Sequence, residues 1–131
     1  MASAAVTWPE TDDRLDANVA ELRAAVVGHR IVRVETKQDG TPNACARLTL
    51  DDGATVRIGP QWDCCAYTEL RGVIERLPGA DHVITDVRTD SGYETWFIVA
   101  DAGDVLQLNA EWCEGTGYYA YGFDIVVNRA G

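Results

Sequence analysis

Basic side chains are scarce in this chain. Lys and Arg together number 11 against 21 Asp and Glu, leaving a formal charge of −10 at pH 7. A protein that grips a nucleic-acid backbone needs a basic patch. None stands out, so direct nucleic-acid binding is not expected, and an anionic membrane surface is disfavoured for the same reason. No apolar run approaches the roughly 18 residues that a membrane helix requires. Met1 to Asp13 lacks both a basic start and a continuous apolar stretch, so no secretory signal is read there.

Paired cysteines are also missing. The four cysteines are Cys45, Cys64, Cys65 and Cys113. None forms the pair two to four residues apart that tetrahedral zinc usually shows. Cys64 and Cys65 are adjacent, and neighbours rarely reach good disulfide geometry with each other. A chain of this length buries roughly two-thirds of its unfolded surface without cross-links. A reducing, cytoplasmic setting is therefore expected.

What is present suits one globular domain. Apolar residues make up 47% of the chain and charged residues 24%, with four Trp and five Tyr. That supply of apolar area argues against disorder. Residues 1–10 read as a flexible arm and 11–131 as a single domain. Leu15, Val19, Leu22 and Val26 recur at helical spacing and predict a helix from about Asp13 to Val27, capped by Asp12 or Asp13 and stopped at Gly28. Strand character follows at Ile31 to Lys37. Ala46, Leu48 and Leu50 alternate with polar residues, Asp52-Gly53 turns, and Val56 and Ile58 continue the alternation, predicting a hairpin. Tyr67, Leu70, Ile74 and Leu77 then predict a second helix from Asp63 to Leu77, ended by Pro78-Gly79. Further strands are expected at Val83 to Thr89, at Trp96 to Ala100, across Leu106 to Trp112, and along Tyr119 to Val127. The fold class is α+β: about six or seven antiparallel strands, as one curved sheet or two packed sheets, with two helices.

A faint internal repeat underlies this order. His29, Ile31, Val34 and Thr36 recur as His82, Ile84, Val87 and Thr89 at an offset of 53, and Asp51, Gly53 and Trp62 recur as Asp101, Gly103 and Trp112 at an offset of 50. The segments 13–62 and 63–112, followed by a strand at 118–128, form a duplicated α-β-β-β unit or two ordinary antiparallel segments that coincide.

Chemistry-bearing residues are few. Asp63 at a helix start would place Cys64 and Cys65 in the first turn, where free amides favour a thiolate, although Asp63 itself opposes a second negative charge. Buried cysteines alternatively pack as small hydrophobes. A cysteine nucleophile needs a histidine base. His29 and His82 both follow predicted helices at matched places, which suits a structural role. Asp51/Asp52 and Asp101/Asp104 lie at hairpin turns, where Asp is favoured by turn geometry. Trp62, Asp63, Cys64, Cys65, Trp112 and Tyr118 make up the candidate binding surface. No catalytic group, metal or cofactor is assigned.

The segments Asp63-Cys64-Cys65-Ala66-Tyr67-Thr68-Glu69-Leu70, Asp81-His82-Val83-Ile84-Thr85, Trp96 and Gly117-Tyr118-Tyr119-Ala120-Tyr121-Gly122-Phe123 together resemble a family of small uncharacterised proteins of actinobacteria and their bacteriophages. The resemblance covers roughly residues 28–128. It implies a phage or prophage origin and the host cytoplasm, and no activity. The function expected is a non-enzymatic, acidic binding protein that engages a host or virion macromolecule, with a protein the expected partner. A small-molecule or metal-binding protein with its site near the cysteine pair is the alternative, and a thiol-dependent enzyme the second alternative.

Overall fold

The computed structural model describes residues 9–37, 44–62, 67–90, 93–112 and 122–129. The helix expected near the N-terminus spans Pro9–Val26 (α1), beginning four residues earlier than its apolar stripe suggested. Pro9 fits there, since a first-turn residue needs no amide hydrogen bond. The stripe is the buried face: Leu15, Val19, Leu22 and Val26 are each at most 6% exposed. Gly28 ends the helix at a φ of +89°, a conformation most other side chains resist.

Nine strands follow among the described residues: β1 Ile31–Lys37, β2 Cys45–Leu50, β3 Thr55–Gly59, β4 Gln61–Trp62, β5 Tyr67–Glu75, β6 Ile84–Thr89, β7 Thr95–Ala100, β8 Gly103–Trp112 and β9 Asp124–Asn128. They form two antiparallel sheets, the first ordered β9-β3-β2-β1 and the second β4-β5-β8-β7-β6. One apolar core draws on both sheets and on α1. Its largest members include Trp96, Phe123, Leu22, Leu48 and Ile98. Trp96 and Phe123 meet edge to face with centroids 5.0 Å apart. The β2–β3 hairpin turns at Asp51-Asp52-Gly53. Gly53 takes a φ of +88° and the Asp52 carboxylate accepts from the Ala54 amide.

The α+β class holds, with two corrections to its parts, the first being that nine strands stand among the described residues where six or seven were expected. The expected second helix, Asp63 to Leu77, is instead strand β5 over Tyr67–Glu75, so α1 is the only α-helix among the described residues. The spacing of Leu70 and Ile74 that suggested a shared helical face does not give one: Leu70 is 1% exposed and Ile74 39%. Thr68, Val73 and Ile74 are β-branched and Gly72 lies mid-segment, so intrinsic helix preference is weak. β8 supplies a partner along the whole segment, from Thr68 opposite Trp112 to Glu75 opposite Leu106, with a register shift at Leu70/Gly72. Pro78-Gly79 leads into a 3-10 turn, Gly79–Asp81, rather than closing a helix. The last strand is shorter than its period-two stripe suggested, beginning at Asp124. Tyr119 and Tyr121 lie outside the described residues, as do residues 1–8 of the expected arm.

The two sheets are built around meanders whose registers match. Ile31 faces Leu50 and Ile84 faces Ala100; Val34 faces Leu48 and Val87 faces Ile98; Leu48 faces Val56 and Ile98 faces Leu106. Both first strands carry a bulge at the same place, between Ile31 and Arg33 in one and between Ile84 and Asp86 in the other. The strand that follows each meander crosses to the other sheet. After the first meander β4 and β5 join the second sheet, where β5 pairs with β8, and β9, after the second meander, pairs with β3 of the first. The exchange extends to what precedes them: α1 packs on β6 and β9, whereas the 3-10 turn packs on β1.

Candidate functional site

The structure brings part of the expected binding surface together at the backbone level. Gln61 and Trp62 of β4 lie opposite Thr68 and Tyr67 at the start of β5, and Thr68 in turn lies opposite Trp112 of β8. The two tryptophans thus flank one strand end from either side. Asp63, Cys64, Cys65 and Tyr118 lie outside the described residues, as does Cys113; Cys45 is a free, half-buried cysteine. Sequence reasoning missed two neighbours at this end. Thr68 is fully buried and its hydroxyl has no hydrogen-bond partner. Glu69, 9% exposed, accepts from Arg71 Nη1 at 3.2 Å, while Arg71 Nε lies 2.8 Å from Glu111.

The two histidines occupy matched turns, and each meets the aspartate of its own meander. His29 Nδ1 lies 2.9 Å from Asp51 Oδ1, and His82 Nδ1 lies 3.4 Å from Asp101 Oδ1. The His29 ring holds the Asp51 carboxyl below its ordinary range; partial desolvation opposes this, and the backbone amide of Arg30 reinforces it. His29, Asp51 and Asp52 could in principle ligate a cation together. Their charge is already met by Arg30, 3.9 Å from Asp51, and by Arg129, 3.6 Å from Asp52. The pairs serve to tie each hairpin turn to the segment that enters its first strand.

The sharpest contrast lies at the outer edges of the two first strands. At β6 the edge is sealed. The Gly28 amide donates to the Ile84 carbonyl at 2.8 Å, and the Ile84 amide donates to the His29 carbonyl at 2.9 Å. Arg23 of α1 donates from Nε to Asp86 at 2.8 Å and from Nη2 to the Val87 carbonyl at 2.8 Å. The Arg23 guanidinium holds the Asp86 carboxyl below its ordinary range; partial desolvation opposes this, and the Val87 amide and Arg88 reinforce it. Two further ties fix the helix. Tyr93 donates its hydroxyl to Asp16 at 2.6 Å. Buried Asn18 binds both backbone groups of Phe123, donating to its carbonyl at 3.0 Å and accepting from its amide at 2.8 Å. Gly122 is required beside that clasp, because its φ is +79° and a Cβ would collide with the Asn18 amide group.

At β1 the element packed on the strand, among the described residues, is the 3-10 turn. Gly79 presses on the start of the strand, so closely that a Cβ there would come within 2.6 Å of the Ile31 carbonyl oxygen. Beyond Ile31 the edge opens into a cleft of about 160 Å³ between Ile31–Val34 and Leu77–Ala80, with Leu106 also in its lining. Val32 is half exposed, the most exposed large apolar side chain among the described residues. The outer face of the first sheet beside the cleft is basic within an acidic protein. Arg33, Lys37, Arg47 and Arg57 are exposed there, against Glu35 and Asp124. Arg47 donates twice to Glu35, at 3.0 and 2.8 Å, and this holds the Glu35 carboxyl below its ordinary range. No helix among the described residues is long and apolar enough to cross a membrane. The cleft had no signature in the sequence beyond the eight-residue interval between β5 and β6, too short for a helix like α1.

A family model described as Domain of unknown function (DUF7448) matches residues 24–125. The match takes in both meanders and β5, reaches only the first two residues of β9, and leaves out most of α1. No curated protein and no solved structure matches the chain.

Proposed function

The chain belongs to the DUF7448 family, and on that premise we propose that it is a non-enzymatic binding protein that engages a protein partner along the β1 edge. One observation carries this reading. Of two register-matched first strands, β6 carries the 18-residue helix α1 and β1, among the described residues, carries no helix, leaving half-exposed Val32 beside an open cleft. An apolar side chain held at the rim of a cleft by a rigid sheet gains free energy when a partner removes it from water. In this reading the meanders are copies of one unit, and the cleft is the place where the second copy lacks its helix. The motif resemblance supports a phage or prophage origin and action in the host cytoplasm.

A photo-crosslinking residue placed at Val32, with Thr85 as the register-matched control, tests the reading in cells that express the protein. The expected outcome is a discrete covalent adduct with a cellular protein from position 32 and none from position 85. Absence of an adduct at 32, or equal labelling from both positions, contradicts it.

A further inference from the structure

We propose that the β1 cleft receives an amphipathic helix from the partner, and that this helix presents an acidic side chain to Arg33. The inference rests on the binding reading above and specifies the chemistry of what is bound.

A helix is favoured over an added strand for two reasons. β1 is bulged between Ile31 and Arg33 where it pairs with β2, and bulges together with exposed charges such as Arg33 and Lys37 are devices that block strand addition. The matching edge, β6, has the same bulge, and the element seated on it is a helix. α1 enters that seat with a stripe of Leu15, Val19 and Leu22 and reads the strand through Arg23, which binds Asp86 and the Val87 carbonyl.

The register of the two meanders gives the complementary charge. Asp86 and Val87 stand 53 positions after Arg33 and Val34, in the same register steps of their strands. A basic residue on α1 meets an acidic one on β6, so the open seat, with Arg33 in that position, asks for an acidic one. Arg33 is 68% exposed, and its only ion pair among the described residues is with Glu35, at 3.2 Å. Glu75 lines the opposite wall. The acidic residue of the incoming helix must therefore lie on the side facing β1, which fixes how the helix is rolled in the cleft. Lys37, Arg47 and Arg57 extend the attraction across the adjoining face. α1 of a second copy is a poor occupant, because its Arg23 would confront Arg33.

Synthetic peptides of residues 11–28 of this chain provide the probe, since α1 is the helix that already fits a seat of this shape. Three versions, the native peptide with Arg23 and its Arg23→Gln and Arg23→Glu variants, are titrated into the full chain, with backbone amide shifts followed by NMR. The Arg23→Glu peptide is expected to bind most tightly, Arg23→Gln next and the native peptide least, with at least a tenfold gap between the ends. The largest shifts are expected at Val32, Arg33, Val34 and Leu106. In an Arg33→Glu variant of the full chain the order should reverse, and in Arg33→Gln it should collapse. Equal binding of the three peptides, no binding, or shifts centred outside the cleft overturn the inference. Crosslinking at Val32 without charge discrimination leaves the binding reading standing and removes the helix. Charge-selected peptide binding without any cellular adduct at Val32 does the opposite: the seat accepts a helix but the binding function falls.

Discussion

β6 and β1 are first strands of meanders with the same register and the same bulge, yet α1 packs on one and, among the described residues, a single 3-10 turn packs on the other. The difference lies in what precedes each strand. Eighteen residues of α1 lead into β1 but pack across on β6, while three residues of 3-10 turn lead into β6 and pack back on β1. Because the leading elements are exchanged, a short connection in one half leaves a gap in the other. Two similar units thus yield one closed edge, which stabilises the fold, and one edge that is open among the described residues, the place proposed above for a partner. An asymmetry of this kind cannot be read from either unit alone.

The comparison can be broken most severely by loosening the closed side. Leu22 on the inner face of α1 is fully buried, and Leu22→Ala should cost about 2–5 kcal/mol, read as a lower denaturant midpoint with unchanged slope. Asn18→Ala should follow. It leaves the amide and carbonyl of Phe123 without their partner in a buried setting, at a cost of about 2–3 kcal/mol. A loss below about 0.5 kcal/mol in either variant, the scatter of an ordinary surface substitution, would mean that α1 is not what closes the β6 edge.

A milder change sharpens the comparison. Arg23→Ala removes an ion pair whose partners are 45% and 34% exposed, so the stability loss should stay under about 1 kcal/mol near neutral pH. Its signature is in the acid limb. The folded-state carboxyl of Asp86 lies below its ordinary value, chiefly through Arg23. The pair therefore stabilises the fold above the unfolded-state pKa, near about 4, and that contribution is lost as pH falls through the lower folded-state pKa. In the variant the Asp86 carboxyl should titrate at higher pH, and part of the stability change below about pH 4 should vanish; carboxyl NMR titration checks the first and acid denaturation the second. The smallest effect is expected on the open side. Val32→Ser should leave stability within about 0.5 kcal/mol, because the side chain is half exposed, while weakening peptide capture by the cleft.

Local patterning makes a good part of this architecture legible. The α1 stripe and the β2–β3 hairpin follow directly from the spacing of Leu, Val and Ile around a Gly-containing turn. The matched pairs His29–Asp51 and His82–Asp101 are visible as equivalent positions, though not as contacts. β5 reads as a helix because Tyr67, Leu70, Ile74 and Leu77 satisfy a helical period by coincidence. What makes the segment a strand is β8, more than thirty residues later, and single-segment periodicity carries no information about a distant partner. The strand exchange is non-local for the same reason. The candidate surface is only partly legible: Trp62 and Trp112 do flank one strand end, whereas the cleft arises from the shortness of a connection, which no motif marks. The net charge also misleads in detail, since the average of −10 conceals a basic sheet face.

Amide hydrogen exchange along the two first strands of the free protein tests the contrast most directly. Slow exchange is predicted for Ile84, whose amide is bonded to the His29 carbonyl beneath the end of α1, and fast exchange for the outward amides of Val32 to Val34, which slow on adding the Arg23→Glu peptide. Equal protection of the two edges in the free protein would show that β1 is already covered, and the open seat on which the account depends would not exist.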